Sequence, residues 1–421
     1  MQDMRLQITD IGAISHTDMR LDGITVLVGE NGTGKSTVCR TLFATIKALR
    51  TNLDDVQQTR KANVQNLLEE HLLRSDGYFD LSENNPNAEI TDKLIRLPLE
   101  HVDKATVSSI LEDLTVNDKA AARTQLVEQL VRRLTLADEA ILRQLRFNVL
   151  QAEHVRSRGD DKESKGSIAV ELADRPLIGL GIHGEVAPNP RSANPDWGIS
   201  EDATMLDDPR LLDDMDFLNP FTMRRVNRNR HTDDLRGKIL DSGQTDAITQ
   251  LATQKSLSNV LQSLREHAGG ELISTRYRLK FKENGVNREL DLQDVSDGRK
   301  TFIMLLQLLS NNMLNEDDVL ILDEPEIHLH PAWQLDLAQM LVELRREFHL
   351  TILVSTHSPY FLEALETYTG KQGLTDDTHY YMMVRDENGS CKSVDITHRL
   401  EQAYRVLAEP FDRLETMENE R

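Results

Sequence analysis

Gly29-Glu30-Asn31-Gly32-Thr33-Gly34-Lys35-Ser36 sets glycines, a lysine and a hydroxyl at the spacing G-x-x-x-x-G-K-S. Glycines at such positions let the chain curl until successive backbone N–H groups face one point, an arrangement suited to phosphate oxygens. An unbroken apolar run, Ile24 to Val28, precedes the loop, and a helical segment from about Ser36 to Leu49 follows it. The positive end of that helix adds to the anion site. In this strand–loop–helix context the spacing is that of a nucleotide phosphate loop. Lys35 then reaches the β- and γ-phosphates, and the Ser36 hydroxyl ligates Mg²⁺. The residues expected around ATP are Glu30, Asn31, Gly32, Thr33, Gly34, Lys35, Ser36 and Thr37.

A second chemical group lies far along the chain. Val319 to Leu322 is an apolar strand that ends in two acids, Asp323 and Glu324. A buried strand presents its terminal carboxylates at the C-terminal edge of the sheet, where ligands sit in open α/β folds. Asp323 would hold Mg²⁺ through water, and Glu324 would orient or deprotonate an attacking water. Alone, the pair would read as an acidic helix cap; the phosphate loop makes the catalytic reading the stronger one. His357, within Ser355-Thr356-His357-Ser358-Pro359, follows the next buried strand and comes to the same edge, placed to sense a γ-phosphate. Ser296, Asp297 and Gly298, in VSDGRK, precede a long apolar helix, TFIMLLQLL. Ser and Gly at a helix start offer a further anion site by the same backbone logic, or an ordinary cap. His328 and His330, if on a strand, could offer two metal ligands on one face, but no third ligand of matching spacing accompanies them.

GENGTGKST, VSDGRK, LILDEPEIHLHP and STHSPYFLEAL, in this order, resemble the ABC-type ATPases of the OLD-like and SMC/RecF-like group, often labelled only "AAA family ATPase". The resemblance covers roughly residues 1–50 and 200–420. It implies a head-to-tail dimer, or a higher oligomer built on it, with two sandwiched ATPs. Ser296, Asp297 and Gly298 of one subunit would face the γ-phosphate held by the other, and Glu326 to His330 would form the loop crossing between sites. The two histidines then belong beside that interface. The signature departs from the transporter form LSGGQ, with Asp297 and Arg299 in place of Gly and Gln. The Q-loop glutamine has no clear match; Gln151 and Asp207-Asp208-Pro209 are the candidates. The Toprim nuclease of full OLD proteins and the long coiled coils of repair relatives are not expected here. What remains resembles the ATPases of bacterial anti-phage systems such as PARIS or Septu, which work with a separate nuclease or toxin.

The elements needed to position these groups can be read from the pattern. Residues 4–8 and 18–22 alternate as half-buried strands. Residues 52–157 carry apolar positions at three- and four-residue spacing without a lasting heptad, which predicts a compact helical insertion. GSIAVEL and PLIGLGI read as strands, 207–267 as a second helical block, and RYRLKFKENGVNRELDL as a hairpin turning at Asn284-Gly285. VLILDE, WQLDLAQMLVELRRE and LTILVST are strand, helix and strand, hence a parallel sheet with crossover helices, and a last hairpin turns at Asn388-Gly389. The expected fold is α/β: an ABC-type P-loop core with a mixed or parallel sheet, an antiparallel β subdomain and a helical insertion. Its divisions are 1–50, 51–157, 158–290 and 291–421.

Composition narrows the function classes. The chain has 421 residues, 39% hydrophobic and 28% charged, with net charge −21. So acidic a chain is poorly suited to hold DNA by bulk electrostatics. A local path through Arg224, Arg225, Arg228 and Arg230 is the feature that would support a DNA-stimulated repair ATPase, the alternative to a nucleotide-controlled switch. A transporter ATPase fits the altered signature and large insertion least well. No apolar run approaches the ~20 residues of a membrane span, and the N-terminus lacks a secretory h-region. Two cysteines, Cys39 and Cys391, form no metal-type cluster and suit a reducing cytoplasm.

Overall fold

A computed structural model describes residues 4–74, 86–113, 120–159, 165–172, 175–183, 199–215, 229–240, 257–274, 279–286 and 288–409. The strands are Arg5–Ile11 (β1), Ile14–Arg20 (β2), Ile24–Val28 (β3), Lys165–Leu172 (β4), Arg175–His183 (β5), Ala203–Leu206 (β6), Gly270–Ser274 (β7), Leu279–Glu283 (β8), Glu289–Leu290 (β9), Val319–Asp323 (β10), Thr351–Thr356 (β11), Thr378–Arg385 (β12) and Cys391–Asp395 (β13). Among the described residues ten of them form one sheet, in the order β5-β4-β1-β2-β13-β12-β3-β11-β10-β6, and β7-β8-β9 form a separate antiparallel sheet.

The large sheet is mixed. β12, β3, β11, β10 and β6 run parallel, whereas β1 pairs antiparallel with β2 and β4, β4 with β5, and β12 with β13. The composition of the parallel strands follows from their setting. β3 (ITVLV), β10 (VLILD) and β11 (TILVST) are buried at every residue, because crossover connections cover a parallel sheet on both faces. The helices Lys35–Arg50, Pro331–Phe348 and Pro359–Lys371 supply those connections. Pro331 and Pro359 each open a helix, where a missing N–H costs nothing. Gly298, in the first turn of the helix Asp297–Ser310, lets that helix approach the 326–330 loop: a Cβ there would lie 2.8 Å from the His328 carbonyl oxygen.

Residues 51–146 form a compact helical unit of their own. Val64, Leu68, Ile90, Leu94, Val107, Leu130 and Leu134 are among its buried core, at the helical spacing expected from the sequence. Arg60 is buried there and donates to the carbonyls of Leu134 (2.7 Å) and Leu136 (2.8 Å), which closes the C-terminal end of the helix Ala120–Leu134. Residues 82–85 of the SENNPN break, residues 184–198, and Arg224, Arg225 and Arg228 lie outside the described residues. The second helical block contains a 3₁₀ segment, Pro209–Met215, and the helices His231–Leu240 and Ser258–Ala268.

A buried charge network ties β6 to the phosphate-loop helix. Asp202 lies 2.6 Å from Lys47, 2.5 Å from Arg50 and 3.0 Å from Lys238, and Lys47 and Lys238 also contact Asp234 at 2.8 and 3.3 Å. Burial alone would raise the Asp202 pKa; Lys238, Lys47 and Arg50 more than offset it and hold the carboxyl far below its ordinary value. Its contribution to stability is therefore present at neutral pH and is lost as acid protonates it. Asp202→Asn leaves two buried lysines short of counter-charge and should cost roughly 3–5 kcal/mol. A urea midpoint unchanged from wild type at pH 7 would contradict this.

Candidate functional site

Strand register brings the predicted residues to one edge. Val28 pairs with Thr356 of β11, and Asp323 with Ser355. The residues that follow these strands, Gly29, Glu324 and His357, therefore leave the sheet together at the C-terminal ends of three neighbouring parallel strands. The phosphate loop is curled as its glycines allow, with φ of +75° at Gly32 and +93° at Gly34. Lys35 is buried at the first turn of its helix. Its Nζ donates to the carbonyls of Gly29 (2.9 Å) and Glu30 (3.1 Å) and lies 3.2 Å from Glu324 Oε1. Thr33 Oγ1 donates to the Glu30 carbonyl at 2.7 Å. Glu30 and Asn31 are exposed on the loop's rim, and Ser36 and Thr37 continue into the helix.

Glu324 takes the left-handed conformation, φ +51°, rare for a side chain of its size. Its N–H is held by the Ser355 carbonyl (3.1 Å) and Ser355 Oγ (3.0 Å). This turn aims Glu324 Oε1 between Lys35 Nζ and His357 Nδ1, the latter 3.4 Å away. Asp323 is nearly buried and accepts from Ser355 Oγ. Behind it sits Cys39, whose thiol burial and the Asp323 charge push well up, so it is an inert packing group. Ser36 and Asp323 offer the hard oxygen donors that Mg²⁺ takes alongside substrate phosphates. Among the described residues no group of three or more His, Cys, Asp or Glu could hold a metal by itself.

The His-x-His pair is not on a strand. His330 caps the helix Pro331–Phe348, its Nδ1 accepting from the Ala332 N–H at 3.3 Å, and His328 lies 4.0 Å from Asp297. Glu326 is not presented outward with the loop it begins. It is buried, and its Oε1 accepts from Thr356 Oγ1 and from the His357 N–H (3.1 Å). Burial pushes its carboxyl pKa up. Gln334 accepts from Ser358 Oγ at 2.7 Å, a second brace on the His357 turn. Ser355, Glu326 and Gln334 are thus positioning groups whose partners no local spacing could reveal.

Ser296 stands at the N-cap of the helix Asp297–Ser310 but its hydroxyl caps nothing there. Lys300 Nζ lies 2.8 Å from Asp297 and 2.7 Å from Asp213, and its hydrogen bond holds the Asp297 carboxyl below its ordinary value. The acid in the signature is therefore charge-balanced from within its own helix. Asp297 contacts Lys300 and His328, Gly298 packs on the 326–330 loop, and none of the hydrogen bonds or ion pairs of Ser296, Asp297 and Gly298 among the described residues reaches the phosphate loop.

Of the two Q-loop candidates, Gln151 is exposed near the end of the helix Asp138–Ala152. Asp207 follows Leu206, which pairs with Leu322, so it emerges one strand from Asp323. Its Oδ2 lies 2.8 Å from His231 Nε2 and 3.6 Å from Arg40 of the phosphate-loop helix. His231 Nδ1 meets Glu153 at 2.9 Å. With both ring nitrogens on carboxylates, the ring is a double donor.

Residues 191–363 match the family model described as "AAA domain, putative AbiEii toxin, Type IV TA system". This span takes in the signature, both acids and His357, and starts after the phosphate loop. "Retron Ec83 probable ATPase" of Escherichia coli is 30% identical over 91 residues, 19% of this chain and 16% of that protein. "Retron Vc95 probable ATPase" of Vibrio cholerae serotype O1 biovar El Tor is 32% identical over 85 residues, 18% of this chain and 16% of that protein. The chain thus spans about a sixth of the relatives it matches. Among solved structures, an Smc head bound to the C-winged helix domain of ScpA aligns at TM-score 0.47 and 12% identity, covering 94% of this chain and 98% of the other. An ATP-binding cassette of an ABC transporter, in its ADP conformation, aligns at 0.36 and 11%, covering 97% and 96%. Superpositions this loose carry no argument. The family model makes residues 191–363 similar to an AAA domain, and both relatives are probable ATPases by name. Among the described residues no helix is long and apolar enough to cross a membrane.

His231 gives this edge a pH dependence. Burial would lower its pKa, but the hydrogen bonds to Asp207 and Glu153 carry it up to about 9. A folded value above the unfolded ~6.5 means full stabilisation below that pH and loss as pH rises through the folded value. Urea midpoints of wild type should therefore fall between pH 6.5 and 9 more steeply than those of His231→Gln. Parallel slopes for the two proteins would refute the charged relay.

Proposed function

We propose that the protein binds and hydrolyses ATP with Mg²⁺ as an ABC-type ATPase, and that its two sites are completed by head-to-tail pairing of two copies. The observation that carries this reading is the meeting of Lys35, Glu324 and His357 at one sheet edge, with Glu324 Oε1 3.2 Å from Lys35 and 3.4 Å from His357. Without nucleotide, Glu324 and two loop carbonyls balance the buried lysine. A γ-phosphate competes for that ammonium through stronger charge-assisted bonds. Glu324 is then released to hold and deprotonate the attacking water, while His357 donates toward the terminal phosphate. Ser36 and Asp323 are the residues that would hold Mg²⁺, which neutralises charge on the phosphate oxygens when bound.

Pairing explains the unused face. Ser296 offers an uncommitted hydroxyl at a helix start, remote in its contacts from its own phosphate loop, as a residue serving the partner's ATP would be. Ile327, exposed beside the site, fits the same pairing. The ATP cycle then acts as a switch for a separate effector, a nuclease or toxin, in bacterial defence against phage. The likeness of the motifs to anti-phage ATPases supports that role, and the match to two retron ATPases agrees with it.

Glu324→Gln should bind Mg·ATP and stay as a dimer or larger assembly in light scattering, whereas wild type returns to its starting mass as ATP is consumed. If ATP changes the mass of neither protein, nucleotide-driven pairing is wrong. Lys35→Ala should abolish the shift in both backgrounds, and the trapped form is the bait on which a separate effector should be retained.

A further inference from the structure

The phosphate loop is braced from a side that none of its motifs encodes. β12 runs parallel beside β3, with Met382 level with Val28, so the β12–β13 hairpin lies along the loop that leaves β3. The approach is close: a Cβ added at Gly29 would stand 2.8 Å from the Met383 carbonyl oxygen. Arg385, the last residue of β12, donates from Nη2 to the Gly32 carbonyl at 2.7 Å. Its Nη1 reaches the Gly389 carbonyl at 3.5 Å, across the hairpin's own turn. That turn is rigid, because the Asp386 carboxylate accepts from the N–H groups of Asn388 (3.0 Å) and Ser390 (2.8 Å).

Peptide geometry gives this contact a consequence for binding. In a trans peptide the C=O and the following N–H point in opposite directions. A Gly32 carbonyl held on the hairpin side therefore turns the Thr33 N–H away from the hairpin. The Gly29 and Glu30 carbonyls are held by Lys35 Nζ, and the Glu30 carbonyl by Thr33 Oγ1 as well. Lys35 is the anchor that a bound phosphate takes away. Arg385 is bound to a different carbonyl and has no such competitor, so its hold persists when nucleotide enters.

We propose that Arg385 is a positioning residue for nucleotide: it fixes the Gly32–Thr33 peptide so that the loop's N–H groups stay convergent after Lys35 has moved to the phosphates. This rests on the ATP reading above and adds the β12–β13 hairpin to the binding site. Backbone N–H groups of such a loop cradle phosphates common to ADP and ATP, so both nucleotides should depend on the brace.

The test is calorimetric titration of the full chain with Mg·ADP and Mg·ATP, for wild type, Arg385→Ala and Arg385→Lys, with thermal melts taken without nucleotide. A hydrogen bond from a charged donor is worth enough that Arg385→Ala should bind both nucleotides about tenfold more weakly. Arg385→Lys, which keeps a cationic donor, should recover most of the affinity. The nucleotide-free melting temperature should stay at the wild-type value, since the side chain is exposed. Unchanged affinity in Arg385→Ala overturns the inference alone. So does a loss confined to ATP, which would mean direct contact with the terminal phosphate, or a fall in the nucleotide-free melt matching the loss of affinity. If wild type binds neither nucleotide, the ATP reading fails, and the role of Arg385 fails with it.

Discussion

The Lys35 ammonium is buried at the start of a helix, and a buried cation without partners is too costly to keep. Much of the site's shape follows from satisfying it. The loop must curl until the Gly29 and Glu30 carbonyls reach Nζ, and Glu324 must adopt a left-handed backbone so that its carboxylate turns inward. Ser355 makes that conformation affordable by receiving the Glu324 N–H twice over. The strain at Glu324 is thus stored where its carboxylate meets Lys35 and His357.

The same logic of charge balance recurs away from the loop. Lys300 neutralises Asp297 so that an acid can occupy a segment otherwise suited to anions. Glu326, buried with one oxygen on Thr356 and the His357 backbone N–H, fixes the turn that carries the imidazole. On the next strand outward, His231 joins Asp207 and Glu153, and Arg40 connects that group to the phosphate-loop helix. The phosphate-loop helix is thus tied to both ends of β6, through Lys47 to Asp202 and through Arg40 to Asp207.

Hydrophobic burial is what makes this edge possible. β3, β10 and β11 are buried at every residue, so charged groups are excluded along their length and collect at one end. The antiparallel half of the sheet serves the site less directly, by carrying β13 and with it the hairpin against the loop.

Whatever depends on neighbours along the chain was legible in the sequence. The glycine spacing, the fully apolar strands ending in acids, the crossover helices and the Asn-Gly turns are local, because backbone conformation and burial period are set within a few residues. The mixed α/β class followed from their order. The fold also decides what the spacing left open. His-x-His would have been paired ligands only on a strand; His330 is instead a helix cap, and Glu326 is buried. Tertiary structure alone decided the register of β3, β10, β11 and β12, since pairing between strands up to hundreds of residues apart leaves no local pattern. That register is what brings Ser355 to Asp323, Asp207 to the sheet edge beside Asp323 and Arg385 to Gly32. A hydrogen bond needs its partners within about 3 Å in space and places no condition on their distance in sequence.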